Sequence, residues 1–229
     1  MTFENFFPFW SKLSQDEQKA LSQSAKEREY KKGCIVSGDK TQCTGLLTVV
    51  SGQLRAYVIT DEGKEITLYR LFERDICLFS ASCMLNSIQF DIMIEALEDT
   101  KVYVIPADVY KRLMERSAPV ANYTNELMAS RFSDVMWIMD QILSKKLDGR
   151  LAALLIEEED LAGGDTLSAT HEQLANHLGS AREVITRMLR YFQSEGIVKL
   201  TRGKIQITDR NRLEEMAHEI GRASCRERV

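Results

Sequence analysis

The apolar residues between positions 170 and 192 fall into two short runs, in which they recur three and four positions apart. This spacing predicts two amphipathic helices. Gly179 stands between the runs, and glycine takes the left-handed conformation that ends a helix at low cost. Two helices of about two turns, joined by a tight glycine turn, are typical of a helix-turn-helix.

Both predicted helices begin with the same sequence signal. Thr170 stands three residues before Gln173, and Ser180 stands three residues before Glu183. In such a capping box the hydroxyl and the returning side chain satisfy backbone N–H groups that have no other partner at a helix start. We therefore expect a capping box at the start of each helix.

The start of the second predicted helix carries polar residues that are suited to reading base edges: Arg182, Glu183, Thr186 and Arg187. Arginine can donate two hydrogen bonds to guanine O6 and N7, and glutamate can accept one from cytosine N4. These residues span about one and a half helical turns, so they can face one groove together. The alternative is a surface helix on which Glu183 and Arg187 form only an i, i+4 ion pair. The turn and the hairpin that follows favour a DNA-binding module.

A β-hairpin is predicted next, formed by residues 197–200 and 204–208 around a glycine turn. Arg202 and Lys204 at its tip are expected to contact phosphates, which set the register without reading the sequence. Thr170 and Ser180, at helix N-termini, are expected to do the same. The hairpin completes a predicted winged helix-turn-helix.

The segment from 170 to 209 resembles the winged helix-turn-helix of the Crp/Fnr family of bacterial transcription regulators. Ser180, Arg182, Glu183 and Arg187 match the S-x-R-E-x-x-x-R recognition string of the cyclic-AMP receptor branch. The E-x-x-S-R string of the Fnr branch is nearly met, with Thr186 in place of serine. The resemblance implies a regulator in which Glu183 and Arg187 read a G·C pair in each half of a two-fold operator.

Short predicted strands separated by turn signals occupy the region from about Tyr30 to Pro106. They indicate an all-β sandwich or barrel. The strands are residues 46–50, 54–60, 65–71, 90–97 and 101–106. This region resembles the β-roll sensor domain of the same family. Residues 1–30 are predicted to be a helical lead-in, with a further capping box at Ser14 and Glu17.

The cyclic-nucleotide pattern of the family is not met. Members that bind cyclic AMP use an arginine for the cyclic phosphate, whereas this chain has no arginine or lysine between Arg74 and Lys101. A buried phosphate without a cation is costly, and Asp91 would add to the cost. The sequence requires no particular cofactor and argues against cyclic AMP as the effector.

Two cysteines, Cys77 and Cys83, flank the place where a ligand would lie, and they are candidates for sensing thiol redox state or a reactive small molecule. The alternative is that they are reduced cysteines that serve as small apolar core residues. No C-x-x-C spacing supports a metal site. All three histidines lie in the C-terminal part, so no histidine of the sensor region can ligate haem iron, and a cysteine-ligated haem stays an alternative. Cyclic-nucleotide-responsive and haem-dependent regulators of the same family remain the alternatives.

A long helix is predicted after Pro119, and its apolar residues are spaced four and three apart, as in a coiled-coil seam. In the family this helix is the dimer interface. We therefore predict a homodimer whose seam is formed by Met128, Phe132, Val135, Met139 and Ile142. A hinge is expected at residues 147–150, where Asp148 can cap the next helix.

The predicted fold class is α+β, with three parts. Residues 1–116 form helices and a jelly-roll-like β-roll that senses an effector, residues 117–147 form the dimerisation helix, and residues 148–219 form the winged helix-turn-helix. The last ten residues, 220–229, match an in-frame translation of a common sequencing adapter, and we predict that they are an assembly artefact.

Composition agrees with a soluble protein, with 44% hydrophobic and 28% charged residues in a chain of 229. No apolar run approaches the ~20 residues of a membrane span, and the N-terminus lacks a secretory signal, so the protein is expected in the cytoplasm. The net charge is −4, but residues 171–212 contain eight Lys/Arg against four acids. This local excess of four positive charges fits a phosphate-docking face.

These observations predict a homodimeric, effector-controlled transcription regulator that binds double-stranded DNA and acts with RNA polymerase. An enzyme is the second hypothesis. No nucleophile–base pair, phosphate-cradling glycine loop or metal-ligand spacing supports it, and residues 30–106 hold no histidine for a cupin-type site.

Overall fold

The computed structural model of the chain describes residues 2–37, 44–84 and 91–218, with the backbone alone for residues 82–84. The chain divides into two compact units. The first runs from the N-terminus to Ile59 and continues from Thr67 to Val135. The second combines Thr60–Ile66 with the chain from Met136 onward.

Eight strands in the described residues precede the long helix, and they form two four-stranded sheets in the orders β1-β8-β3-β6 and β2-β7-β4-β5. Their bounds are β1 (Lys26–Tyr30), β2 (Ile35–Ser37), β3 (Leu46–Ser51), β4 (Leu54–Ile59), β5 (Glu65–Leu71), β6 (Ile76–Cys77), β7 (Met93–Ala96) and β8 (Thr100–Ile105). Alternate residues of β3 and β4, such as Leu47 and Ala56, are fully buried in one shared core. The predicted β-roll is therefore confirmed.

The prediction that residues 1–30 are helical is correct only in part. Short 3₁₀ helices at Phe3–Phe6 and Trp10–Lys12 precede α1 (Gln15–Ser24). The capping box of α1 is present, since the Ser14 amide donates to Glu17 Oε2 at 2.7 Å and the Glu17 amide donates back to the Ser14 hydroxyl. Lys26–Tyr30, however, is strand β1. Its charged sequence shows no periodic spacing of apolar residues, and its extended conformation comes from antiparallel pairing with β8.

Two helices follow the roll, α2 (Ala107–Arg116) and α3 (Ala118–Ser144). The N-terminal aromatics pack with these helices in a second core of the first unit. There the buried Tyr110 hydroxyl lies 2.8 Å from the Thr124 hydroxyl, and burial raises the pKa of Tyr110 to about 12. The long predicted helix is confirmed over 27 residues.

The second unit contains a winged helix-turn-helix. Its elements are α4 (Leu147–Ala162), β9 (Thr166–Leu167), α5 (His171–Leu178), α6 (Arg182–Ser194), β10 (Val198–Thr201), β11 (Lys204–Ile207) and α7 (Arg210–His218). The hairpin β10–β11 is extended by β9 into a three-stranded sheet in the order β10-β11-β9. One core cluster of seventeen buried residues joins these elements.

The expected hinge at residues 147–150 is instead the first turn of α4. The residue before this helix is Lys146, and no side chain caps it, so the predicted Asp148 cap is wrong; the Asp148 carboxylate accepts from the neighbouring Gly149 amide. Gly149 is buried against α7, where an added Cβ would lie 2.9 Å from the Met216 carbonyl oxygen. Close packing of α4 on α7 therefore requires glycine at this position.

None of the helices in the described residues has both the length and the apolar character needed to cross a membrane. The suspected artefact, residues 220–229, lies outside the described residues.

A nearly buried ion pair in the roll gives a stability test. Arg55 Nη2 lies 2.8 Å from Glu95 Oε2, and its guanidinium covers the Tyr57 ring. We expect Glu95→Ala to destabilise the protein by about 3 kcal/mol in urea denaturation, because it removes the ion-pair partner of a guanidinium whose side chain is only 8% exposed. The double variant Arg55→Met/Glu95→Met should regain most of that loss. A double variant as unstable as Glu95→Ala would contradict this assignment.

Candidate nucleic-acid interface

The helix-turn-helix begins with the capping box predicted at Thr170. The Thr170 amide donates to Gln173 Oε1 at 2.8 Å, and the Gln173 amide donates to the Thr170 hydroxyl at 3.1 Å. Gly179 ends α5 in the left-handed conformation, with φ +65°. Arg150 of α4 donates to the Leu178 carbonyl at 2.8 Å, and burial lowers the pKa of its guanidinium. Sequence reasoning missed this arginine, which satisfies a carbonyl at the turn.

The second predicted capping box is wrong. The residue before α6 is Ala181, and no side chain caps the helix. Ser180 takes part in the preceding turn instead, because its amide donates to the Ala175 carbonyl at 2.9 Å. This is the six-to-one bond of a Schellman turn, which follows from glycine at the preceding position. Ser180 therefore lies one residue too early to cap α6.

One face of α6 is fully buried, and this determines the direction of the other. Ile185, Leu189 and Phe192 have no exposed surface in the domain core. Residues on the opposite face must point to solvent, since side chains three and four positions apart share a side of a helix. Arg182, Glu183 and Arg187 are accordingly exposed, and Thr186 is half-buried.

The four predicted base-reading residues lie together in the structure. Arg182, Glu183, Thr186 and Arg187 line one open concavity of about 500 Å³. A fifth residue, Arg190, lines it as well; sequence reasoning counted its charge but did not place it in the site. Its position, three residues after Arg187, was the signal available. Three arginines against one glutamate make the concavity electropositive, as contact with DNA requires.

His171, the first residue of α5, contacts this face. Its Nδ1 lies 2.9 Å from the Thr186 hydroxyl oxygen. Burial lowers the pKa of the imidazole, and nearby Arg182 and Arg190 lower it further. Arg182 also lies 4.0 Å from the Glu172 carboxylate, a distance at the limit of an ion pair.

The candidate phosphate contacts are also at the surface. Thr170 is exposed at the start of α5, Arg202 and Lys204 are exposed at the turn of the wing, and Ser180 is half-buried.

The positive charge of residues 171–212 is partly compensated by ion pairs within the second unit. Arg210 pairs with Glu159, Asp160 and Glu214, which hold the pKa of Arg210 above its usual range. Arg212 pairs with Glu215.

The candidate sensor residue Cys77 has no exposed surface inside the roll. Burial raises the pKa of its thiol, so the unreactive protonated form is favoured. The buried Tyr69 hydroxyl lies near this thiol but forms no hydrogen bond of ordinary geometry. The Cys83 side chain lies outside the described residues. Across residues 2–37, 44–81 and 91–218, no three His, Cys, Asp or Glu side chains cluster as a metal site would require.

The residues of the predicted dimer seam share one side of α3 but differ in exposure. Met128 and Val135 pack against cores of the first unit. Phe132, Met139 and Ile142 are exposed, with 68% of the Phe132 surface open to solvent. Three further apolar residues of α3 are exposed with them: Met136, Trp137 and Leu143.

A two-sheet roll, a long helix and a winged helix-turn-helix with an electropositive α6 face define a DNA-binding regulator. Known proteins agree. A model of the Crp-like helix-turn-helix domain matches residues 149–216, and one of the cyclic nucleotide-binding domain matches residues 27–117. The structure is similar to the crystal structure of a protein from Eubacterium rectale assigned to the Crp/Fnr family. That protein is 58% identical with a TM-score of 0.91, and the match covers 93% of this chain and 99% of that one.

The chain therefore belongs to the Crp/Fnr family of transcriptional regulators. It is also similar to the cyclic AMP receptor protein of Thermus thermophilus, at 26% identity over 92% of this chain and 96% of the relative. The transcriptional activator protein anr of Pseudomonas aeruginosa is 26% identical, over 86% of this chain and 83% of the relative. These relatives are transcriptional regulators and not enzymes.

The Thr170 capping box gives a local prediction. Thr170→Val keeps the shape of the side chain but removes the hydroxyl, which should cost about 1 kcal/mol of α5 stability. In the full-length chain, hydrogen exchange of the α5 amides should therefore quicken about fivefold. Thr170→Ser, which keeps the hydroxyl, should exchange like the parent. Equal loss of protection in both variants would show that the hydroxyl does not cap the helix.

Proposed function

We propose that this regulator is a homodimer that reads a two-fold DNA site through α6 and is controlled by a signal sensed in the β-roll. The observation that carries the proposal is the α6 concavity, which brings Arg182, Glu183, Thr186 and Arg187 together on a solvent-facing surface. The family assignment supports DNA binding by this domain, and the residues of the concavity supply the means of discriminating between base pairs.

The chemistry of the α6 face fits the major groove. Arg187 can donate two parallel hydrogen bonds to a guanine, and Glu183 can accept one from the amino group of the paired cytosine. Because the two residues are four apart, they lie one above the other on the helix. We assign them to one G·C pair in each half-site. Arg182 and Thr186 are assigned to neighbouring base pairs.

Phosphate contacts are assigned to the surroundings of the concavity. Arg202 and Lys204 extend from the wing turn into solvent. Thr170 and Ser180 lie at or before helix N-termini, where backbone N–H groups and the helix dipole favour an anion. Such contacts hold α6 in register and make binding depend on salt, but they carry no sequence information.

A second copy of the chain is assigned to the exposed apolar face of α3. Phe132, Met136, Met139 and Leu143 are spaced four, three and four residues apart, which is the spacing of a coiled-coil seam. All four are exposed, and 77% of the Leu143 surface is open to solvent. An apolar stripe of this length on a water-facing helix marks an interaction surface. A symmetric dimer would then present two α6 helices to two half-sites.

A signal in the roll can reach α3 through a specific contact. The Arg131 guanidinium of α3 lies 4.4 Å above the ring of Tyr69 on β5, and it also pairs with Asp134 at 3.0 Å. Tyr69 in turn lies near Cys77. A ligand or a modification that moves Tyr69 would therefore change the contact that joins the roll to α3. The missing cation between Arg74 and Lys101 supports an effector other than cyclic AMP.

The decisive experiment is selection of bound DNA from a random pool, under reducing and under oxidising conditions. We expect a two-fold consensus with a G·C pair at one position of each half-site. A difference between the two conditions would support thiol sensing in the roll. A pool without any enriched sequence under either condition would overturn sequence-specific reading.

Arg187 should be necessary for specificity. Arg187→Ala should weaken binding to the selected site by about 1–3 kcal/mol and relax the preference at one base pair. Arg202→Ala is the matched control, since it also removes one positive charge. It should weaken binding to selected and random DNA alike and reduce the salt slope by about 0.9. Equal losses of Arg187→Ala on the two DNAs would contradict a base-reading role.

The dimer face is tested by a charge placed in the stripe. Leu143→Glu should convert the protein to monomers in sedimentation experiments and weaken operator binding, because two carboxylates would meet across the interface. Ser130→Glu, at another exposed position of α3, is the matched control and should remain dimeric. A parent protein that is monomeric, or a Leu143→Glu protein that stays dimeric, would refute this interface.

A further inference from the structure

The side chain of Thr186 is directed by a histidine and not by its own helix. Serine and threonine hydroxyls within a helix often donate to the carbonyl four residues earlier, as Thr124 does to Val120 and Ser144 does to Asp140. Thr186 instead places its hydroxyl 2.9 Å from His171 Nδ1. Its hydrogen is therefore not held by the α6 backbone, and the partner that determines its direction can itself change protonation state.

The protonation of His171 decides what the Thr186 hydroxyl can offer to a base. A hydroxyl has one hydrogen to donate and two lone pairs to accept with. When the ring is neutral with its proton on Nε2, Nδ1 accepts the hydroxyl hydrogen. Thr186 then presents only lone pairs, which suit the amino groups of adenine or cytosine. When the ring is protonated, Nδ1–H donates to the hydroxyl oxygen. The hydroxyl hydrogen is then free for an acceptor such as thymine O4 or guanine O6.

We propose that His171 is a positioning residue that sets the hydrogen-bonding role of Thr186, so that base preference at one position of each half-site changes with pH. This inference rests on the base-reading role proposed above for α6. It adds a residue outside the recognition helix to the specificity of this chain, and it assigns the effect to one hydrogen bond.

The surroundings of His171 oppose its protonation in the free protein. Arg182 and Arg190 approach it from α6, and Glu172 is its neighbour on α5. In the free protein, burial and the two arginines hold the pKa of His171 below the ordinary value of about 6.5. Bound DNA acts in the opposite direction, because a phosphate near the α5 N-terminus favours the imidazolium. The ring is therefore neutral at pH 8.0 and gains its proton as the pH falls.

The test compares half-site variants at two pH values. Operators from the random-pool selection are prepared with each base pair at the position assigned to Thr186, and affinities are measured at pH 5.5 and 8.0. Ratios between operators are used, because they cancel the general gain in DNA affinity when histidines become charged. The ratio of donor-presenting to acceptor-presenting base pairs should change about fivefold in the full-length protein, the worth of one hydrogen bond.

Four variants separate the hydrogen bond from a purely structural role. His171→Phe and Thr186→Val should each abolish the pH dependence of the ratio. His171→Asn, which can still donate and accept but does not titrate in this range, should keep sequence-specific binding with a ratio independent of pH. His177→Asn removes another histidine of α5 and should behave like the parent. Circular dichroism confirms that each variant is folded.

The outcomes are distinct. A parent ratio that is equal at both pH values would show that the hydrogen-bonding role of Thr186 does not change with pH, and it would overturn the proposal while leaving base reading by α6 intact. A pH-dependent ratio that survives in His171→Phe would also overturn it. Failure of the random-pool selection to yield any operator would instead overturn the proposed function on which the inference depends.

Discussion

Burial of the apolar face of α6 is the constraint on which the proposed DNA-reading surface depends. The side chains of Ile185, Leu189 and Phe192 are fully buried, and their burial determines the rotation of α6 about its own axis. The polar residues between them have no freedom to face elsewhere. A change that loosens this core would misdirect Arg187 and its neighbours without touching any of them. The same packing brings His171 and Thr186 within hydrogen-bonding distance.

Local chemistry supports this packing at the turn that precedes α6. Gly179 provides the left-handed residue, the Ser180 amide closes the turn on Ala175, and Arg150 satisfies the Leu178 carbonyl. The Ser180 amide and the Leu178 carbonyl are backbone groups that would otherwise be unsatisfied at the end of α5. The turn therefore needs no ligand to hold its shape, and α6 is presented ready to bind.

The sequence predicted what depends on short-range chemistry. Strand residues 65–71, the capping boxes at Ser14 and Thr170, and the glycine end of α5 are all found where the pattern placed them. It did not predict features that depend on distant partners. Residues 26–30 become a strand only through pairing with β8, and α7 has just Leu213 and Ala217 as buried residues in a polar segment. The predicted Ser180 cap is absent because the glycine turn and the capping-box pattern compete for this residue. The Ser180 amide closes the turn, and α6 begins one residue too late for Ser180 to cap it.

The residues of the candidate site were predictable as a set because a single helix carries them. The contact of His171 with Thr186 was not predictable, since His171 lies on a different helix and fifteen residues away from Thr186. The predicted α3 seam shows the same limit. A spacing of three and four identifies an apolar helix face, but only tertiary packing determines which residues of that face the protein's own core covers. Met128 and Val135 are used in this way, and Phe132 and Met139 are left exposed.

The enclosure of Cys77 has a kinetic consequence. A thiol with no exposed surface can meet an oxidant or an electrophile only during a transient opening of the strands around it. Its rate of modification is then the intrinsic thiol rate multiplied by the small fraction of time that the roll is open. Any molecule that tightens the roll would shield the sulfur, and any molecule that loosens it would expose the sulfur. The rate of modification of Cys77 would thus depend on how often the roll opens as well as on the oxidant concentration.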